Sequence, residues 1–158
     1  MGPSRAVADS APGLRAPGRA RPRRDGQGAV VCAVSLGGGL GAAARYGAGL
    51  LWPTAGGAFP WTTFVVNTVG CALIGVLLTV IAGLPAPHRL LRPFLGTGVL
   101  GGFTTFSTYA VDVERLAGDG RLPTAVAYCV GTPVAALAAV WAAATATRRL
   151  TEGWRRTG

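Results

Sequence analysis

The chemistry open to this chain is concentrated in Gly96-Thr97-Gly98-Val99-Leu100-Gly101-Gly102-Phe103-Thr104-Thr105-Phe106-Ser107-Thr108-Tyr109. Four glycines and five Ser or Thr hydroxyls sit there inside an uncharged apolar run. At membrane depth every backbone N–H and C=O needs a partner, so a segment this rich in helix-weakening glycine is tolerated only where protein shields it or a polar path runs beside it. The hydroxyls supply hydrogen-bond donors for such a path. Asn67 is the other conspicuous donor. An amide in the middle of an apolar span is costly to bury unless partnered, and its two N–H groups can pair a neighbouring helix or face a permeant anion. Together these residues predict a pore or ion-binding element.

Other chemistries find no footing. Gly37, Gly39 and Ala42 form a G-x-G-x-x-A pattern after an apolar run, but no acidic residue lies between Asp25 and Asp112 to hold a ribose. Gly96 and Gly101 have the spacing of a phosphate-binding loop, yet Gly102 stands where its lysine belongs. The whole chain contains no lysine, which also excludes Schiff-base chemistry. Cys32, Cys71 and Cys129 are isolated in apolar runs with no ligand spacing, and read as small hydrophobes. His88 is the single histidine, so a nucleophile–base pair has little to draw on. The expected function is not enzymatic.

The elements that must position the donors follow from composition. With 158 residues, 50% hydrophobic and 13% charged, and a mean hydropathy of +0.42, the chain is too apolar for a soluble domain. Four apolar segments, 29–51, 60–83, 94–111 and 123–147, each approach the ~20 residues that cross ~30 Å of hydrocarbon. The expected fold class is an all-α integral membrane protein of four transmembrane helices. Gly37 with Gly41, and Gly98 with Gly102, are small residues four apart that let helix backbones approach, within a bundle or a dimer. Residues 1–27, with six arginines and four prolines, read as a disordered basic arm, either simply solvated or drawn to lipid headgroups. A four-helix domain over 28–147 and a basic tail over 148–158 follow. The positive charge lies mostly in the two tails, and they offer no aromatic-interleaved basic face for bases to stack on, so no nucleic-acid surface is expected. Arg23-Arg24 before an apolar run and Ala42-Ala43-Ala44 imitate a secretory signal, but three further spans and Arg45 argue against one.

Three ordered patterns carry a resemblance to a known family: Gly38-Gly39-Leu40-Gly41-Ala42-Ala43-Ala44-Arg45-Tyr46, then Trp61-Thr62-Thr63-Phe64-Val65-Val66-Asn67-Thr68-Val69-Gly70, then Gly101-Gly102-Phe103-Thr104-Thr105-Phe106-Ser107-Thr108-Tyr109. In order and spacing, residues 29–147 resemble the CrcB/Fluc fluoride channels. The resemblance implies subunits paired antiparallel into a dimer with two narrow fluoride pores. It also implies a third helix broken near the membrane centre around a structural, untransported Na+ held by backbone carbonyls of Gly101 and Thr104 from each subunit. A role in exporting fluoride from the cytoplasm across the plasma membrane, and so reducing its toxicity, is implied as well.

By the same resemblance Phe106 matches the first aromatic of the family's "Phe box", whose ring edges carry partial positive charge. Asn67, Ser107 and Thr108 fit as pore donors, and Tyr128 and Thr132, one turn apart on the fourth span, fit as pore or bundle-packing residues. Replacing Asn67 or Phe106 is expected to cut flux while sparing dimer assembly, their contacts being to the ion more than to the fold. Arg45 is expected in a structural or vestibule role. Two departures stand out. Tyr109 replaces the second box aromatic, its added hydroxyl either assisting fluoride or altering the apolar edge site, and Asp112 stands where the family commonly has Glu. A non-conducting partner subunit shares all these features. A small four-helix efflux transporter would need an embedded carboxylate, which the first three spans lack up to Asp112.

Charge placement adds an expectation about partners. Twelve arginines fall on the side holding both termini and the loop of Arg89 and Arg92, against Arg115 and Arg121 on the other. By the positive-inside tendency both termini are expected in the cytoplasm. A subunit of fixed orientation pairs antiparallel with an oppositely oriented paralogue more readily than with itself, and Tyr109 then reflects a division of labour between the two.

Overall fold

The computed structural model describes residues 24–55 and 57–157. Helix α1 spans Arg24–Leu51 and α2 spans Trp61–Gly83. A π-helical segment, π1, Arg92–Leu100, runs directly into one α-helical turn, α3, Gly101–Phe103. After a gap at 104–106 come α4, Ser107–Gly118, and the long α5, Leu122–Thr157. Every regular element among the described residues is helical. Residues 24–27, assigned to the disordered arm from composition, belong to α1; the rest of that arm lies outside the described residues. The basic tail continues α5 as helix through Thr157.

Three helices, Gly26–Leu51, Trp61–Gly83 and Leu122–Gly153, are long and apolar enough to cross a membrane. The segment 94–111 is not one helix. Glycines at 96, 98, 101 and 102 let the chain take the wider π winding at little side-chain cost, and the Gly101 N–H reaches back to the carbonyls of Gly96 and Gly98. Thr104 then turns to extended backbone, φ −74° and ψ 158°, and ends the helix.

Two parallel helix pairs make up the bundle. In the first, α1 lies along π1 and α3 through the glycines expected to pack. A Cβ at Gly37 would stand 3.0 Å from the Gly98 Cα, one at Gly41 would overlap the Val99 carbonyl oxygen, and one at Gly102 would overlap that of Gly38. The small-residue pairs therefore serve contacts inside the subunit. In the second pair, α2 lies along α5, with Gly75 against the Val140 carbonyl and Ala144. Gly70, facing the Thr104 methyl and the Phe103 ring, joins the two pairs.

Few side chains are buried, among them Val66, Leu100, Leu116, Ala125 and Tyr128. The outside is apolar: Leu36, Leu40 and Leu50 on α1, and Val126, Val130, Val134, Leu137 and Trp141 on α5, are all exposed. That inversion suits a hydrocarbon surround or a partner subunit. The start of α1 and the α2–π1 loop share one end of the bundle, since a Cβ at Gly26 would meet the Arg89 guanidinium. Because α2 and α5 run parallel, Arg148 and Arg149 lie at that end too. The 52–60 loop and Arg121 meet at the other, where the Arg121 guanidinium approaches Gly57.

Candidate functional site

The break between α3 and α4 is held by its neighbours. In a continuous α-helix the Thr105 N–H would bond the Gly101 carbonyl, four residues back. Here it donates instead to Asn67 Oδ1 at 2.8 Å, while Asn67 Nδ2 donates to the Thr105 carbonyl at 2.9 Å. Asn67, buried on α2, thus clamps both sides of one peptide position and takes the regular donor away from the Gly101 carbonyl. Thr105 Oγ1 accepts from the Thr108 N–H at 3.1 Å, satisfying one of the orphan donors that open α4. Arg45 reaches across from α1, its Nε donating to the Gly102 carbonyl at 3.3 Å. The costly arginine is therefore anchored to protein at the helix end.

Beside the break lies a cavity of about 450 Å³, open on one side. Asn67, Gly101, Thr104, Phe106, Tyr109 and Thr132 all stand on its wall. Six positions named from sequence therefore converge on one space. Phe106 is 79% exposed at its open face and packs against the Tyr109 ring at 5.6 Å between centroids. Thr132 is buried, yet its hydroxyl is the one buried side-chain polar atom among the described residues without a hydrogen-bond partner. In a well-packed protein such a group is exceptional and asks for a ligand.

The other named positions lie elsewhere. Tyr128 is fully buried, edge-on to Phe59 at 5.3 Å and tilted against Tyr109 at 5.4 Å, off the cavity wall. Ser107 Oγ lies 3.3 Å from Thr105 Oγ1, and Thr108 Oγ1 3.1 Å from it, on the far side of the break. Thr108 lines a second cavity of about 310 Å³ with Arg45, Thr62 and Thr63. Asn67 meets the fold first. Both ends of its amide are engaged with Thr105, so the expectation that it contacts the ion more than the fold does not describe this geometry.

Sequence reasoning passed over one cluster. Asp112 Oδ2 accepts from Thr63 Oγ1 at 2.8 Å and from the Tyr128 hydroxyl at 3.3 Å, joining α2, α4 and α5. The partners are 49 and 16 residues away in sequence, so no local spacing announces them. The regular placement of Asp112 one turn after Thr108, in an apolar setting, was the available signal. No group of three or more His, Cys, Asp or Glu side chains that could hold a metal occurs among the described residues, so a cation here would rely on backbone oxygens.

Residues 32–144 match the family described as CrcB-like protein, Camphor Resistance (CrcB). The chain is 62% identical over 147 residues to "Fluoride-specific ion channel FluC 1" of Streptomyces coelicolor, covering 91% of this chain and 93% of that one. It is 60% identical over 119 residues to "Fluoride-specific ion channel FluC 2" of Streptomyces avermitilis, covering 75% of each. To "Fluoride-specific ion channel FluC" of Paracoccus denitrificans it is 46% identical over 117 residues, covering 74% of this chain and 93% of the other.

Proposed function

The chain belongs to the CrcB family, and we propose that it is a fluoride-selective passive channel that releases fluoride from the cytoplasm across the plasma membrane and so limits its toxicity. The observation that carries this reading is a cavity wall that brings together Asn67, Phe106, Tyr109 and Thr132, the last with a buried hydroxyl that has no hydrogen-bond partner. Fluoride is small and strongly hydrated, so a selective path must replace its water with closely spaced donors while staying too narrow for larger anions. The Thr132 hydroxyl and the second N–H of Asn67 serve as such donors. Ring edges of Phe106 and Tyr109 add positive quadrupole, and the N-terminal end of α4 adds the positive end of its dipole. Among the described residues no carboxylate lines the cavity, which favours passive permeation over proton-coupled efflux.

The cavity's open face at Phe106 calls for a second subunit to close it. In our reading the partner packs antiparallel, and the interruption at 104–106 sits near the membrane centre. A structural Na+ fits the donor set: the Gly101 carbonyl has lost its regular amide donor to Asn67, and Thr104 has left the helical conformation. Gly101 and Thr104 would hold it through backbone oxygens, with the same pair from the partner. The ion would supply fixed positive charge between the two breaks and would not be transported.

Purified protein in liposomes tests the reading. Loaded with fluoride or chloride, the vesicles should release fluoride rapidly and chloride scarcely, and replacing sodium by a larger cation should stop the release. Equal passage of both halides, or proton-driven efflux of organic cations, would refute a fluoride channel. Unaltered flux without sodium would remove the metal site alone.

A further inference from the structure

Pro133 lies inside α5, one residue after Thr132. Proline has no N–H, so it cannot donate to the carbonyl four residues back, that of Cys129, and its ring pushes that carbonyl out of line. In a bilayer an acceptor deprived of its helical donor must find another. The Tyr109 hydroxyl donates to the Cys129 carbonyl at 2.6 Å, with the Cys129 sulfur also within 3.4 Å. Tyr109 and Pro133 share the wall of the same cavity.

We infer that Tyr109 is a positioning residue whose hydroxyl replaces the backbone donor lost at Pro133, fixing α4 to α5 beside Thr132 and leaving only its ring to the ion path. The phenolic O–H is then spent on the fold. The ring acts on the ion as a phenylalanine would. Tyr109 and Pro133 form one device: the proline releases a carbonyl about one turn before the residue with the unpartnered hydroxyl, and the tyrosine recovers it and sets the distance between the helices. Only the flux arm of the test rests on the channel reading; the stability arm stands without it.

The experiment is a double-mutant cycle of Tyr109→Phe and Pro133→Ala, each variant assayed for fluoride and chloride flux in liposomes and for melting temperature in detergent. With Pro133 in place, Tyr109→Phe should lower fluoride flux about tenfold and the melting temperature by about 3 °C or more, the size expected when a buried acceptor loses its donor. In the Pro133→Ala background, where the residue at that position donates to the Cys129 carbonyl again, the same substitution should change flux less than about twofold and leave the melting temperature in place. Equal losses in both backgrounds with folded protein would overturn the inference and make the hydroxyl an ion ligand. No loss in either would overturn it in favour of a hydroxyl without a role. If the unsubstituted protein passes no fluoride, the channel reading fails, and the melting temperatures still decide whether Tyr109 and Pro133 are coupled.

Discussion

At the scale of single residues, Thr132 and Asn67 separate two ways of being polar inside an apolar bundle. The Thr132 hydroxyl is buried and unpartnered, so the fold bears its desolvation, about 1–3 kcal/mol. Thr132→Val removes that burden while keeping the shape. It should therefore raise the melting temperature, or leave it unchanged, while reducing fluoride flux about tenfold or more, the effect of losing one charge-facing donor. A stabilised variant with full flux would make Thr132 a packing residue. Asn67 behaves oppositely. Asn67→Ala strips partners from both the N–H and the C=O of Thr105, each worth about 1–3 kcal/mol when left unpaired in a buried site. Flux and thermal stability should fall together, and a variant as stable as the parent would show that water holds the break equally well. The sequence marked both positions as polar residues in apolar spans. It could not tell them apart, because the difference lies in whether a backbone group 38 residues away comes within reach.

At the scale of elements, the glycine pairs were legible and the winding was not. Small residues four apart announce a close helix contact, and the contact formed between those two pairs. Hydropathy and glycine spacing do not distinguish ~3.6 residues per turn from the wider π winding of Arg92–Leu100, since the choice rests on which carbonyl each N–H reaches. Hydropathy alone therefore reads the third apolar segment as one span, and glycine content marks it as weak without placing the interruption at 104–106. The Thr63–Asp112–Tyr128 cluster was hidden for a related reason: three helices must assemble before its members meet. The α1 contact gives a direct test. Gly41→Val puts a branched side chain onto the Val99 carbonyl and should abolish a monodisperse folded species on size-exclusion chromatography. Gly39→Ala, with nothing within 4 Å of the added Cβ in the subunit, should keep the subunit folded. Recovery of Gly41→Val in good yield would mean that α1 can slide away from π1.

At the scale of the whole molecule, charge and shape make different demands. One end of the bundle gathers the start of α1, Arg89 in the α2–π1 loop, Arg92 at the start of π1, and Arg148 and Arg149; the other carries Arg115 and Arg121 with Glu114 and Asp119. The positive-inside tendency favours the cationic end in the cytoplasm, and on that expectation the subunit would take one orientation. The open cavity face at Phe106, by contrast, calls for a partner, and an antiparallel partner must be inserted the other way. In the antiparallel reading proposed above, a chain with twelve arginines against two would meet both demands by pairing with a subunit of opposite bias. Single cysteines placed at each terminus, in a chain freed of Cys32, Cys71 and Cys129, should react with an impermeant reagent only after the cytoplasmic side is exposed. The chain expressed alone should then conduct weakly and gain flux when an oppositely oriented paralogue is supplied. Labelling of a substantial fraction from outside intact cells would show dual insertion, and the antiparallel pair would then form from two copies of this chain.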